Sequence, residues 1–208
     1  MSKKFLIATF LLGIAVYFIG QYFFKNVSKS FFCIAEKKVE FNLIFKPVEE
    51  KDLSLLYTWF QKPHVVEWWP VPKKEEDFFN SFLKRIRDGV VPYIVLSDNR
   101  PIGYIQSYDI AQSKKHAWLP PLPGKIIGID QFIGEPDCLG KGIGTLFIKK
   151  FVKNLIDKNN DITVIVDPEP NNFAAIRCYE KVGFKKFGEY TTPWGPALLM
   201  IYEVGNPD

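Results

Sequence analysis

Cysteine and histidine are scarce in this 208-residue chain. There are three cysteines, Cys33, Cys138 and Cys178, and two histidines, His64 and His116. None forms a CxxC pair or a Cys/His cluster, so neither a zinc site nor a disulfide scaffold is expected. The odd, sparse thiol count points to a reducing compartment. Net charge is scarce too, once it is located. Residues 1–40 carry six lysines against Glu36 and Glu40, which is the whole formal +4 of the chain. The remaining residues hold 21 basic and 21 acidic side chains. A neutral domain has no broad basic field, so nucleic acid is not an expected partner. What is abundant is apolar: 47% of the residues, with 16% aromatic. That excludes disorder and suffices for one sizeable core.

Phe5–Phe24 reads FLIATFLLGIAVYFIGQYFF, twenty residues without a charge. A helix of that length rises about 30 Å, the thickness of bilayer hydrocarbon. Lysines flank both ends, and Tyr17, Tyr22, Phe23 and Phe24 would form an interfacial aromatic belt. Residues 1–24 are therefore expected to be a single-pass anchor in the cytoplasmic membrane, and residues 25–40 a basic linker. Lys25, Lys29, Lys37 and Lys38 lean the soluble part toward the cytoplasm. Two other readings stay open: a cleaved signal peptide, disfavoured by the missing small-x-small site, and a true start downstream, which would leave a cytoplasmic protein.

Residues 41–204 read as one mixed α/β domain, with a short tail at 205–208. Phe41, Leu43 and Phe45 alternate as a strand that Pro47 stops. Leu53, Leu56, Tyr57 and Phe60 recur at helical spacing, as do Phe79, Phe82, Leu83 and Ile86 before Gly89. Residues 93–96 and 102–108 form a predicted hairpin around Ser97–Pro101. Strands are expected over 126–133, 162–166, 184–190 and 197–204, and helices up to about Lys158 and over about 173–181.

The strongest local signal is Leu139-Gly140-Lys141-Gly142-Ile143-Gly144-Thr145, between a predicted strand and a helix. Glycines let backbone N–H groups approach a ligand, and a helix N-terminus favours phosphate. Lys141 adds a full charge. Neither a Walker loop nor a dinucleotide fingerprint fits well: Lys141 is followed by Gly142, and the fingerprint's strand near the domain start and its acidic residue about 20 residues on are poorly matched. A plain Gly-rich connection remains the alternative. The second signal is Asp167-Pro168-Glu169-Pro170-Asn171-Asn172 and the helix after it, where Tyr179 lies two turns beyond Asn172. A capped helix with a buried tyrosine is the simpler reading of that segment.

Together, strand, glycine loop, helix, strand and N-x-x-A-x-x-x-Y-x-x-x-G-F resemble the GNAT superfamily of acyl-CoA N-acyltransferases. The resemblance implies a mostly antiparallel central sheet with two splayed strands, flanked by helices, and acetyl-CoA as co-substrate. It puts cofactor contacts on Gly140, Lys141, Gly142, Ile143, Gly144, Thr145 and Asn172. Tyr179 would be the acid for the thiol, and the backbone of Gln131, Phe132 and Ile133 would face the acetyl group. His64–Trp69, Pro92–Ile94, Pro101–Tyr108, Gly128–Gln131, Ile176–Phe184 and Thr191–Pro193 narrow the resemblance to aminoglycoside 6'-N-acetyltransferases. That implies Asp130 as the base, with Glu67, Trp69, Trp118 and Asp167 toward the amine substrate. No metal is implied, and the oligomeric state is left open.

Two departures reduce the acids available to a polycation: Ser113-Lys114-Lys115-His116 replaces an acidic stretch, and Trp194 replaces an Asp. The loop also lacks the Arg or Gln that often begins it. Three hypotheses follow: transfer to an aminoglycoside 6'-amine; transfer to another amine such as a siderophore precursor, polyamine or protein lysine; and acyl-CoA binding without catalysis. A thiol-release assay over a panel of amines separates them.

Overall fold

The computed structural model describes residues 41–112, 116–159 and 161–202. The expected anchor at 5–24, the linker at 25–40, Ser113–Lys115 and the tail lie outside the described residues. Among the described residues, no helix is long and apolar enough to cross a membrane. All described residues but Phe41 belong to one compact unit that starts at Asn42.

Strand β1 (Leu43–Pro47) precedes helix α1 (Leu53–Phe60), a single turn α2 (Pro63–Val66) and helix α3 (Glu75–Arg87). Then come β2 (Val91–Ser97), β3 (Arg100–Asp109), β4 (Lys125–Ile133), α4 (Ile143–Lys158), β5 (Ile162–Val166), α5 (Phe173–Val182), β6 (Phe184–Thr192) and β7 (Gly195–Tyr202). The predicted hairpin is β2–β3. Asp98 and Asn99 both take positive φ, 50° and 66°, the two-residue turn that matches strand twist.

The seven strands run in the order β1-β2-β3-β4-β5-β7-β6. Every neighbouring pair is antiparallel except β4 with β5. That parallel ladder runs only from Lys125↔Ile162 to Gly128↔Ile165, while β4 continues paired to β3 as far as Ile133. Beyond Gly128, β4 therefore leaves β5 and opens a gap in the middle of the sheet, which is the splay the resemblance implies.

Helices cover both faces. On one, α1 and α3 supply Leu53, Leu56, Trp59, Phe60, Phe78 and Phe82, which pack with Ile94 and Tyr104 of the sheet. On the other, α4 buries Phe147, Ile148, Phe151 and Val152 at helical spacing, and α5 buries Ile176, Tyr179 and Val182. Phe151 meets Phe45 and Tyr93 edge-on, at centroid distances of 5.0 and 5.5 Å.

The α1–α2 corner grips the end of β4. His64 Nε2 lies 2.9 Å from the Ile133 carbonyl, Lys62 Nζ donates to the Gly134 carbonyl at 2.8 Å, and the Trp59 indole N–H donates to Glu135 at 2.7 Å. His64 is thus a structural residue, and its partner is the strand that must stay clear of β5.

Candidate active site

Side chains at paired positions of β3 and β4 share a face. The register pairs Gln106 with Asp130 and Tyr104 with Phe132. Phe132 stacks on Tyr104 and meets Phe60 and Trp59, so this face belongs to α1 and α3. Gln131 alternates to the other face, where its Nε2 donates to the Tyr179 hydroxyl of α5 at 2.6 Å. Asp130 and Tyr179 therefore stand on opposite sides of the sheet. Only the gap between β4 and β5 lets one ligand reach both.

Asp130 is partly accessible. Its Oδ2 accepts from Gln106 Nε2 at 2.6 Å, and its Oδ1 accepts a longer bond from the Tyr108 hydroxyl at 3.4 Å. Burial pushes this carboxyl above the ordinary range, while Arg85, Gln106 and Tyr108 pull it back. Asp167, just past β5, is pushed up to about 8, first by burial and then by the negative charge of Asp130. Burial holds the Tyr179 hydroxyl well above the usual phenol range, so it keeps its proton at neutral pH. Its ring packs on Phe184 at 5.6 Å.

The glycine loop has the conformation its sequence suggests. Gly140 and Gly142 take φ of 71° and 75°, and a Cβ on either would meet nothing within 4 Å. Gly142 caps α4 without any side-chain bond, so the first-turn N–H groups of Ile143, Gly144 and Thr145 have no helical partner. Open space, unpaired donors and the exposed Lys141 together fit a pyrophosphate. Thr145 also braces the loop's helix on α5: its Oγ1 lies 3.3 Å from Cys178 Sγ. Asn172 is half committed, because its Oδ1 accepts from Ala175 N at 3.1 Å as the N-cap of α5. Among the described residues, its amide N–H₂ has no bond.

Other candidates separate. Trp69 is packed rather than free: it meets Phe60, Tyr104 and Phe132 edge-on at 5.2, 6.0 and 6.0 Å, while its neighbour Trp68 is the exposed one. Glu67 is an exposed residue at the end of α2, and no contact joins it to Asp130. Asp109 is used by Lys125 at 3.0 Å. Trp118 does stand on the Asp130 side, within an aromatic rim. Tyr108 stacks on His116 at 5.3 Å, His116 meets Trp194 at 5.5 Å, and Trp118 meets Tyr190 at 5.7 Å. The buried Trp118 indole N–H has no partner among the described residues. The Tyr108 ring lies across Gly128, where a Cβ would overlap it.

Tyr108, His116, Tyr190, Gln106 and Arg85 were not singled out from sequence. Only their cross-strand and interhelix positions reveal them.

The Asp167 environment predicts a stability effect. The folded chain holds a proton up to about pH 8 that an unfolded Asp releases near pH 4. Stability is thus lost progressively as pH rises through that window. Asp167→Asn should raise Tm at pH 8 and should give no gain near pH 4. Thermal melts across pH check this; a pH-independent difference would refute it.

Comparison with known proteins agrees with the geometry. The family profile described as acetyltransferase (GNAT) domain matches residues 48–192. An aminoglycoside N(6')-acetyltransferase type 1 of Klebsiella pneumoniae is 38% identical over 159 residues, spanning 73% of this chain and 78% of that protein. The structure of AAC(6')-Ib with paromomycin and acetyl-CoA superposes with a TM-score of 0.72 at 36% identity, over 77% of this chain and 92% of that one. Its complex with coenzyme A and kanamycin gives 0.71 at 37% identity, over 77% and 94%. A sheet parted at β4–β5, a glycine corner of unpaired N–H groups beside the gap and a profile match over well more than half of the sequence lead to one assignment: the chain belongs to the GNAT acetyltransferase family.

Proposed function

We propose that the protein transfers the acetyl group of acetyl-CoA to the 6'-amine of an aminoglycoside. The observation that carries this reading is the placement of Asp130 and Tyr179 on opposite faces of the sheet at the one gap between its strands. The curated relative with that substrate and the neighbours bound to kanamycin and paromomycin support the choice of acceptor.

Acetyl-CoA supplies the thioester. In the overall change, starting from the ammonium, a C–N bond forms, the C–S bond breaks, two protons leave nitrogen, one reaches sulfur and the other passes to solvent. An ammonium group is not a nucleophile, so its proton must go first. Asp130 accepts it, directly or through water, and burial makes its carboxylate more basic than an exposed one. Tyr179 holds the proton for sulfur. Gly140–Thr145 hold the pyrophosphate, and the free amide of Asn172 is available to a carbonyl of the pantetheine arm. Asp167 offers a second carboxyl group, protonated below about pH 8, to the acceptor. Trp118 and Trp194 offer flat faces to its rings and ammonium groups.

The test is thiol release by residues 41–208 with acetyl-CoA and a panel of amines. Kanamycin-class acceptors should release coenzyme A well above background. Release with polyamines or lysyl peptides alone would replace the acceptor, and CoA binding without any turnover would replace the enzyme by a binding module.

We further infer that residues 5–24 tether the domain to the cytoplasmic membrane with its catalytic part on the cytoplasmic side, supported by the uncharged twenty-residue run and its flanking lysines. The full chain should then stay in the membrane pellet after carbonate extraction; its release would end that inference.

A further inference from the structure

Asp130 is held by a hydrogen-bonded chain whose direction is fixed. Arg85 Nη2 donates to Gln106 Oε1 at 2.8 Å, and the Tyr104 hydroxyl donates to the same oxygen at 2.7 Å. Arg85 can only donate, and this determines which end of the amide is the oxygen. The other end, Nε2, therefore faces Asp130 Oδ2, at 2.6 Å. A flipped amide would set its N–H₂ against the Arg85 donor and its oxygen against a carboxylate. Gln106 is only 1% exposed, so water does not replace a lost partner.

Arg85 is anchored in turn. Its guanidinium lies 5.1 Å over the Trp69 ring, and Trp69 is wedged among Phe60, Tyr104 and Phe132. The cation thus comes from α3, the amide from β3 and the carboxylate from β4.

We propose that Gln106 and Arg85 are positioning residues for the base: together they hold Asp130 Oδ2 in place, so that Oδ1, which carries only the long bond from Tyr108, is the oxygen that meets the acceptor. This rests on the acetyl-transfer reading above. Among the described residues, the titratable and charged groups that act on Asp130 are Arg85 from α3, Tyr104 and Tyr108 from β3, Asp167 from the loop after β5, and Tyr179 from α5, with His116 stacked behind Tyr108. Asp167, as an acid, disfavours the Asp130 carboxylate. Arg85 is the one cation among them, so its removal has a definite sign: Asp130 takes its proton at higher pH. Loss of the Gln106 amide acts in the same direction, by removing a bond to the charged form.

The experiment is a carbon-13 NMR titration of aspartate-labelled chain in an Asp167→Asn background, where Asp130 titrates without its partner; Asp130→Asn identifies the resonance. Gln106→Leu and Arg85→Met should each raise the Asp130 midpoint by about one pH unit. The acid limb of kcat/KM should move with it, costing about tenfold at a pH below both midpoints and little on the alkaline plateau. Arg85→Lys, which keeps the charge and a donor, should recover part of the shift. If Gln106→Leu does not fold, the half-buried Arg85 variants carry the test. An unmoved midpoint in folded Arg85→Met, with activity lowered equally at every pH, would overturn the proposal. A shifted midpoint in a chain that acetylates no aminoglycoside would instead sink the transfer reading and leave the relay standing.

Discussion

Asp130→Asn should lower kcat/KM for a kanamycin-class acceptor by about 100- to 10,000-fold, the usual worth of a positioned general base. The substitution is nearly isosteric. An Asn oxygen can still accept from Gln106 Nε2, now 2.6 Å from Oδ2, so the relay keeps its geometry while the proton acceptor is lost. The fold should not suffer. Burial already disfavours the Asp130 charge, and the uncharged amide removes that cost. The variant should therefore melt no lower than the parent. It should also bind coenzyme A unchanged, because the glycine corner lies on the other side of the gap. This combination separates a base from a scaffold residue: activity falls while stability and nucleotide affinity hold. A loss under tenfold would show that the ammonium sheds its proton elsewhere, with Asp167 the next candidate.

Much of this was legible in the sequence where the determinants are local. The glycine corner is a short string whose φ values and unpaired N–H groups follow from residues 139–145 alone. The Asn172 cap and the two-turn spacing to Tyr179 are equally local, and so is the turn at Asp98-Asn99. Legibility stopped where a position depends on register. Gln106 meets Asp130 because β3 and β4 pair at that level, and Arg85 reaches Gln106 because α3 packs across β3. No periodicity within either segment carries that information. The Trp68-Trp69 pair shows the same limit. Sequence sets one indole inside and one outside, but the chain's exit from the α2 turn decides which. Trp69 packs partly inward against the aromatic core and lies under Arg85, while Trp68 is exposed. The aromatic rim of Tyr108, His116, Trp118, Tyr190 and Trp194 draws on three separate segments, so the sequence marks only Trp118 as a substrate wall, with His116 and Trp194 visible merely as replacements for acids.

Tyr179→Phe should reduce kcat by about 100-fold, with the affinities for acetyl-CoA and acceptor preserved. The ring packs on Phe184 and is 6% exposed, and Phe fills the same volume, so core packing is kept. What disappears is one oxygen, and its loss has two consequences. The first is structural. Gln131 Nε2 loses its partner, in an amide whose Oε1 already has none among the described residues. A cost of about 1–2 kcal/mol follows, visible as a lower Tm. The second is chemical. Gln131 donates to the Tyr179 oxygen, which turns the hydroxyl proton away from Gln131 and frees it for the sulfur. Burial keeps that proton bound beyond the alkaline end of any practical assay. Tyr179 therefore contributes no basic limb, and the parent and the Phe variant should share one pH profile at different heights. Gln131→Leu separates the two consequences, since it removes the same bond but leaves the hydroxyl. If Tyr179 is the acid, Gln131→Leu loses far less turnover than Tyr179→Phe. Equal losses in the two variants would mean that the bond, and not the proton, is what the reaction needs.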